Sequence, residues 1–369
     1  MTVTAFRDGR VTLRSNRRTD GFTESVKDVG YQGVRDGEVV IHSMDAFAGA
    51  IGVSDSNGKM SPVVHIYRTP GDNPEFIVHA LRAASMAGFI RALAKGIRER
   101  STSFDRSVFK SMLLPRPPRV EQDKIVAYID RETQQIDELI AEQRGLVDSL
   151  RERRDAVVKR SISRGVDPGV DIADSGVSWI GAMRADAQLV RVRFLADVNT
   201  GSGDTQDATF GGDYPFYVRS DLVQRSDRFC FEGAAVLTSG DGAGVGKVFH
   251  LVQGGQFNAH QRVYVMNNFR NVIPSYFFYA FSAYFGYVAL DGSAKSTVDS
   301  VRRHMITNMP IVVPSLDSQR TVAAYLDEQT SRIDALIAES ENLITLSLER
   351  RAALITAAVT GQIDVRTAA

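Results

Sequence analysis

Gln122-Asp123-Lys124-Ile125-Val126-Ala127-Tyr128-Ile129-Asp130 returns 197 residues later as Gln319-Arg320-Thr321-Val322-Ala323-Ala324-Tyr325-Leu326-Asp327. The same offset carries Ile136-Asp137-Glu138-Leu139-Ile140-Ala141-Glu142 onto Ile333-Asp334-Ala335-Leu336-Ile337-Ala338-Glu339, and Glu152-Arg153-Arg154 onto Glu349-Arg350-Arg351. A gapless register over more than thirty positions marks a tandem repeat, and a repeat decides the architecture before any single motif does.

Working outward, each copy reads as one long helix. Apolar residues fall at 3-and-4 spacing at Ile125, Ile129, Ile136, Leu139, Ile140, Leu146, Leu150 and Val157, and again at Val322, Leu326, Ile333, Leu336, Ile337, Leu343 and Leu354. Pro117-Pro118 and Pro314 precede the two helices, and Gly165 and Gly361 follow them. Each should run roughly 43 residues, about 65 Å at 1.5 Å per residue. Helices of that length with one apolar stripe want a long partner, and each is the other's. The expectation is an antiparallel coiled coil whose interface includes Ile129, Ile136, Leu139, Leu150, Leu326, Ile333, Leu336 and Leu343. Gly145 and Asn342, equivalent and poor helix formers, should lie near the middle of the crossing, where a small residue permits close approach.

The flanking segments repeat as well. Gly37-Glu38-Val39-Val40-Ile41 corresponds to Gly233-Ala234-Ala235-Val236-Leu237, a buried strand in each. Asn73-Pro74-Glu75-Phe76 corresponds to Ile273-Pro274-Ser275-Tyr276, a helix opened by proline. The layout is therefore a domain over 1–117, a helix over 118–165, a domain over 166–314, and a helix with a tail over 315–369. The fold class is α/β (α+β) domains alternating with two long helices, with an internal pseudo-two-fold repeat. Asn271 to Leu290 carries no charge and is aromatic-rich, but its counterpart holds Glu75, His79, Arg82 and Arg91, so a core helix is expected rather than a membrane span.

Composition is that of an ordinary globular chain, with 43% hydrophobic and 24% charged residues. One cysteine, Cys230, excludes an intrachain disulfide and fits a reducing compartment, the cytoplasm; it reads as a small buried hydrophobe. Net charge is zero, so bulk electrostatics announce no nucleic-acid partner. Regionally, residues 1–110 hold 16 Lys+Arg against 12 Asp+Glu, and residues 166–310 hold 12 against 14.

Two variable domains alternating with two near-identical helices, each introduced by proline, resemble the specificity subunit of type I restriction–modification systems. Pro115 to Arg164, Ser178-Trp179-Ile180-Gly181 and Pro310 to Ile363 carry the resemblance, as does Gly37 to Tyr67 with Ile41-His42-Ser43-Met44-Asp45-Ala46-Phe47-Ala48-Gly49. The resemblance implies that each variable domain is a target-recognition domain reading one half of a split site in double-stranded DNA. The helices would hold the domains apart and dock two modification (methyltransferase) subunits, with an endonuclease/translocase subunit joining for restriction. It implies no catalysis, no cofactor and no membrane for this chain. The first domain is about 30 residues shorter than the second, so an N-terminally incomplete domain is expected.

Arg14, Arg17 and Arg18 form a polar basic cluster able to read guanine or grip phosphate, and Lys295, Arg302 and Arg303 form another. With Ser43, Lys59, Lys247, Asn258 and His260 they are the candidate DNA contacts. Gly240-Asp241-Gly242-Ala243-Gly244-Val245-Gly246-Lys247-Val248 fails the P-loop pattern, since Asp241 and Val248 occupy its required Gly and Ser/Thr positions; a turn near DNA or a plain hairpin loop remains. Asp72-Asn73-Pro74-Glu75-Phe76 lacks the second proline of an adenine methyltransferase tetrapeptide, and the six histidines show no metal-ligand spacing. Two other readings stay open: a helical-hairpin scaffold without a DNA role, and a self-contained DNA methyltransferase.

Overall fold

A computed structural model describes residues 1–17, 30–94, 103–291 and 300–365. The chain divides into two compact units: Met1–Arg144 with Glu341–Ala369, and Gly145–Ser340. Each unit thus takes one variable domain together with half of each long helix.

The long helices are Arg119–Arg164, 46 residues, and Leu316–Val359, 44 residues. In the first unit Ile125, Val126 and Ile129 pack with Ile355, Ala358 and Val359, while Arg351 Nε donates to Asp137 Oδ1 at 2.9 Å. In the second, Val158 and Ile162 share a core with Val322, Ala323 and Leu326, while Arg154 donates to both oxygens of Asp334 at 2.7 and 3.2 Å. Low numbers on one helix meet high numbers on the other in both units, so the pairing is antiparallel. The residue numbers of each ion pair add to 488, so both units use one register.

The buried seam repeats every 3.5 residues rather than 3.6. On the first helix it runs through Gln122, Val126, Ile129, Thr133, Ile136, Ile140, Val147 and Leu150. On the second it runs through Gln319, Ala323, Leu326, Thr330, Ile333, Ser340 and Ser347. Three of the expected interface residues fall off this seam: Leu139 is 37% exposed, Leu336 49% and Leu343 38%, as is Leu146 at 44%. Each sits one residue before a seam position, on the flank, because Thr, Ser and Gln occupy seam places that an apolar stripe passes over. Ile129, Ile136, Leu150, Leu326 and Ile333 are buried. Gly145 is exposed, and a Cβ added there would meet nothing within 4 Å, so its small size serves no close approach.

The two glutamines that open the repeat join helix to domain. Gln122 is fully shielded; it accepts from Asn73 N–H at 2.7 Å and donates to Asp72 Oδ1 and Pro117 O at 2.8 and 2.9 Å. Gln319, equally shielded, accepts from Ile273 N–H at 2.9 Å and donates to Pro314 O and Asn271 O at 2.9 and 3.3 Å.

The domains share a core motif. Val39–His42 lies between antiparallel Ile51–Val53 and Val64–Tyr67; Ala235–Ser239 lies between antiparallel Phe249–Val252 and Val263–Asn267. Helix Pro74–Met86, capped by the Asn73 side chain, places Phe76, Ala80 and Ala83 on the long helices and Val78 and Leu81 on the sheet residues Val39, Ile41 and Ile51. Pro274–Asp291 has the same role in the second unit, burying Tyr276, Phe277, Phe281 and Phe285. Its residues 274–290 carry no charge because the helix is enclosed on several sides. Among the described residues no helix is long and apolar enough to cross a membrane. The second domain adds a sheet in which Tyr214–Tyr217 pairs parallel with Gln256–Ala259, and Pro310–Val313 pairs with Gln188–Arg191.

Candidate nucleic-acid interface

In the first unit, backbone geometry gathers three of the candidate cations along the N-terminal strand Val3–Ala5. Arg14 opens a 3-10 turn after strand Val11–Leu13; its N–H donates to Thr2 O at 2.9 Å and its Nε to Thr4 Oγ1 at 3.3 Å. Lys59 bridges to Thr2 from the far side, and its Nζ lies 5.6 Å from the centre of the Tyr31 ring. Arg17 is exposed, pairs with Asp8 and stacks over Phe6, 4.5 Å from the ring centre. These side chains are held by neighbours yet stay near the surface, as backbone-gripping cations do. Ser43 behaves differently: it is 9% exposed and donates to Val63 O at 2.8 Å, so its hydroxyl is committed to the fold. Arg18 lies outside the described residues.

In the second unit the glycine loop joins strand Ala235–Ser239 to its antiparallel neighbour Phe249–Val252, a hairpin connection rather than a strand–loop–helix phosphate cradle. Its glycines are needed for close backbone approach: a Cβ on Gly240 would come within 2.8 Å of Arg262 O, and one on Gly244 within 2.6 Å of Arg219 O. The loop is tied to the segment before helix Arg303–Asn308, because Val301 N–H donates to Gly240 O at 2.8 Å and Asp241 bridges to Ser300. Exposed Lys247, Arg302 and Arg303 thereby fall in one neighbourhood. Lys295 lies outside the described residues.

Two arginines missing from the sequence reading join them. Arg219 Nη1 and Arg262 Nη1 reach Asp241 at 3.1 and 3.5 Å. They stand 22 and 21 residues from that carboxylate, a separation with no local pattern. One acid among several cations leaves the loop region positive within a unit whose overall balance is not.

Asn258 and His260 are not at this surface. Asn258 is 1% exposed; it donates to Ser226 Oγ at 3.2 Å and accepts from Cys230 Sγ at 3.1 Å and Ala259 N–H at 3.0 Å. His260 is 5% exposed, accepts from Arg262 N–H on Nδ1 at 3.0 Å and has Nε2 3.7 Å from Asp204 Oδ1. Burial, then the Arg219 charge, holds its pKa below the usual histidine value, favouring the neutral ring. Both residues are consumed by the fold because polar groups inside must find partners there. Cys230 departs from its expectation in the opposite sense: it is exposed, in the turn before Phe231–Glu232. Among the described residues no cluster of His, Cys, Asp or Glu is arranged to hold a metal ion.

Comparison with known proteins bears on this geometry. Residues 186–346 match the model of the type I restriction modification DNA specificity domain, which spans the glycine loop, its arginines and much of the second long helix. The chain is 27% identical over 183 residues to the Type I restriction enzyme EcoDI specificity subunit of Escherichia coli. That match covers 50% of this chain and 40% of the subunit, so the chain aligns with less than half of its curated relative. In fold, it is similar to a chain from a study of complex assembly and conformational transition of the type I R-M system. The TM-score is 0.69 with 17% identity, over 89% of this chain and 83% of that one. A HsdS subunit from Thermoanaerobacter tengcongensis aligns at TM-score 0.47 with 18% identity, over 90% of this chain and 82% of that one. Residues 186–346 are thus similar to type I restriction modification DNA specificity domains, and the fold of the chain is similar to that of a chain from a type I R-M system.

Proposed function

We infer that this chain is the DNA-recognition and assembly subunit of a type I restriction–modification complex and catalyses nothing itself. Each target-recognition domain reads one half of a bipartite site in double-stranded DNA. The paired helices set the distance between halves and dock two modification subunits and an endonuclease/translocase subunit, in the cytoplasm. The observation that carries this reading is the duplicated seam: the antiparallel pairing found in one unit recurs in the other, and the sequence repeats at an offset of 197, giving two equivalent domain–helix units, one for each half of a split site. The exposed leucines support docking of partners, because Leu139 and Leu146 recur at the same offset as Leu336 and Leu343, giving matched apolar patches.

Selection from a random duplex library by the full chain tests this. The expected product is two short motifs with a fixed gap between them. No enrichment and no salt-dependent binding would leave the scaffold reading in its place. Methyl transfer by the chain alone, given S-adenosylmethionine and DNA, would establish the methyltransferase reading instead.

A further inference from the structure

A cavity of about 380 Å³ in the first unit is walled by three guanidinium groups, those of Arg7, Arg82 and Arg91. None belongs to the clusters described above. We propose that this cavity is a phosphate seat, and that it takes a phosphodiester of the DNA backbone. The phosphate chemistry stands on the cavity alone; DNA as its source rests on the reading under Proposed function.

The seat is built rather than incidental. Arg82 comes from helix Pro74–Met86 and lays its guanidinium on the 8–9 backbone, donating Nη1 to Asp8 O at 2.5 Å. A Cβ on Gly9 would lie 1.2 Å from that nitrogen, so glycine at φ +93° is what admits the arginine. Arg7 is oriented by Asp45, with Nη2 at 2.7 Å and Nε at 3.2 Å from Oδ1, which leaves Nη1 of its fork outside that pair. Arg91 lies with its guanidinium carbon 5.8 Å from the centre of the Phe47 ring and forms no ion pair among the described residues. Among the described residues Asp45 is the one carboxylate paired into this group, while Asp8, itself paired with Arg17, acts on Arg82 by its charge, so three positive charges face two negative ones. Half-buried Arg82 also feels Arg351 of the second long helix, and its pKa is held below the usual value by burial and then by that charge. Positive charge at the cavity is therefore only partly compensated, and an oxyanion would neutralise the excess.

Shape favours a phosphate within a chain over a free one. Arg7 and Arg91 are exposed, so the cavity opens to solvent, and Gly49 and Gly88 contribute walls without side chains. A phosphodiester carries a sugar on each side and needs such an open trough, whereas a free anion is held best when enclosed. Guanidinium forks match phosphate oxygens two at a time.

The test uses the full chain and Arg91→Gln, an exposed position whose loss leaves the Arg7–Asp45 and Arg82–Asp8 contacts in place. Binding to duplex is followed by fluorescence anisotropy from 0.05 to 0.5 M salt. Losing one phosphate contact should lower the slope of log K against log[salt] by about 0.9, which is roughly eightfold in affinity near 0.1 M salt, with base preference unchanged. Arg91→Lys should restore most of the slope. In a second arm, protection of the chain against heat by inorganic phosphate is compared for parent and Arg91→Gln. If the DNA slope is unchanged while phosphate protection is lost, the seat takes a free phosphate and the DNA source is wrong. If neither moves, there is no seat. If the parent chain binds no duplex, the DNA reading fails, and the phosphate arm still decides the seat.

Discussion

Replacing Gln319 by leucine should destabilise the second unit without touching any candidate DNA contact. The side chain is fully shielded and makes three hydrogen bonds, all with main-chain groups: it accepts from Ile273 N–H and donates to Pro314 O and Asn271 O. Leucine fills most of the volume but satisfies none of these. The Asn271 bond is long at 3.3 Å and counts least. The other two main-chain groups lose their partner at about 1–3 kcal/mol each, and the added apolar burial returns about 1 kcal/mol, so a net loss of roughly 1–5 kcal/mol is expected. Gln319→Glu refines the test, because a carboxylate still accepts from Ile273 N–H but cannot donate to the two carbonyls unless protonated; its cost should shrink as pH falls toward 4. Hydrogen exchange resolved along the chain is the assay, since one unfolding curve would merge the two units. Faster exchange should be confined to 145–340, and Gln122→Leu should do the same in the other unit. A loss under about 0.5 kcal/mol, or one spread evenly over both units, would refute the idea that this glutamine fastens helix to domain.

Other consequences can be checked alongside. Ile129→Ala and Leu326→Ala, both at fully shielded seam positions, should each cost about 2–5 kcal/mol, while Leu139→Ala and Leu336→Ala on the flank should cost less than about 1 kcal/mol; equal costs would misplace the seam. Exchanging the charges of Arg154 and Asp334 together should recover what either reversal alone loses, on the order of 0.5 kcal/mol at these half-exposed positions, as read by a double-mutant cycle. Burial, then Arg82 and Arg351, lowers the His79 pKa from 6.5 to about 4. The unfolded chain therefore takes up a proton between pH 6.5 and 4 that the folded unit refuses, and stability should fall with pH across that window by up to about 3 kcal/mol. His79→Gln should flatten that dependence in hydrogen exchange of helix Pro74–Met86. Inserting one heptad into each long helix, after Gly145 and after Asn342, keeps both registers and adds about 10 Å, so the gap in the recognised site should widen by about three base pairs with the half-site bases unchanged. A heptad in one helix alone should disrupt pairing instead.

The repeat made the architecture legible, because a gapless offset fixes equivalence without knowledge of contacts. The long helices, the equivalent strands Val39–His42 and Ala235–Ser239, and the enclosed helix Pro274–Asp291 all followed from it. The seam was read less well. Apolar periodicity picks out leucines, and a seam that accepts Gln122, Thr133, Thr330 and Ser340 hides from it, which is why periodicity alone points Leu139, Leu336 and Leu343 inward. Site residues were the least legible. Asn258 and His260 look like base-reading side chains, yet their polar groups are used by Ser226, Cys230 and the Arg262 backbone. Arg219, Arg262 and the Arg7–Arg82–Arg91 group owe their neighbourhoods to strand pairing and helix packing across tens of residues, which no local spacing records.

The most direct test is a map of methylated adenines in cells that carry this chain together with a modification subunit. The account predicts one motif made of two short halves with a fixed gap, absent when the chain is absent, one half changing when residues 166–314 are exchanged for another specificity domain. Methylation at a single undivided motif, or an unchanged map when the chain is deleted, would contradict it.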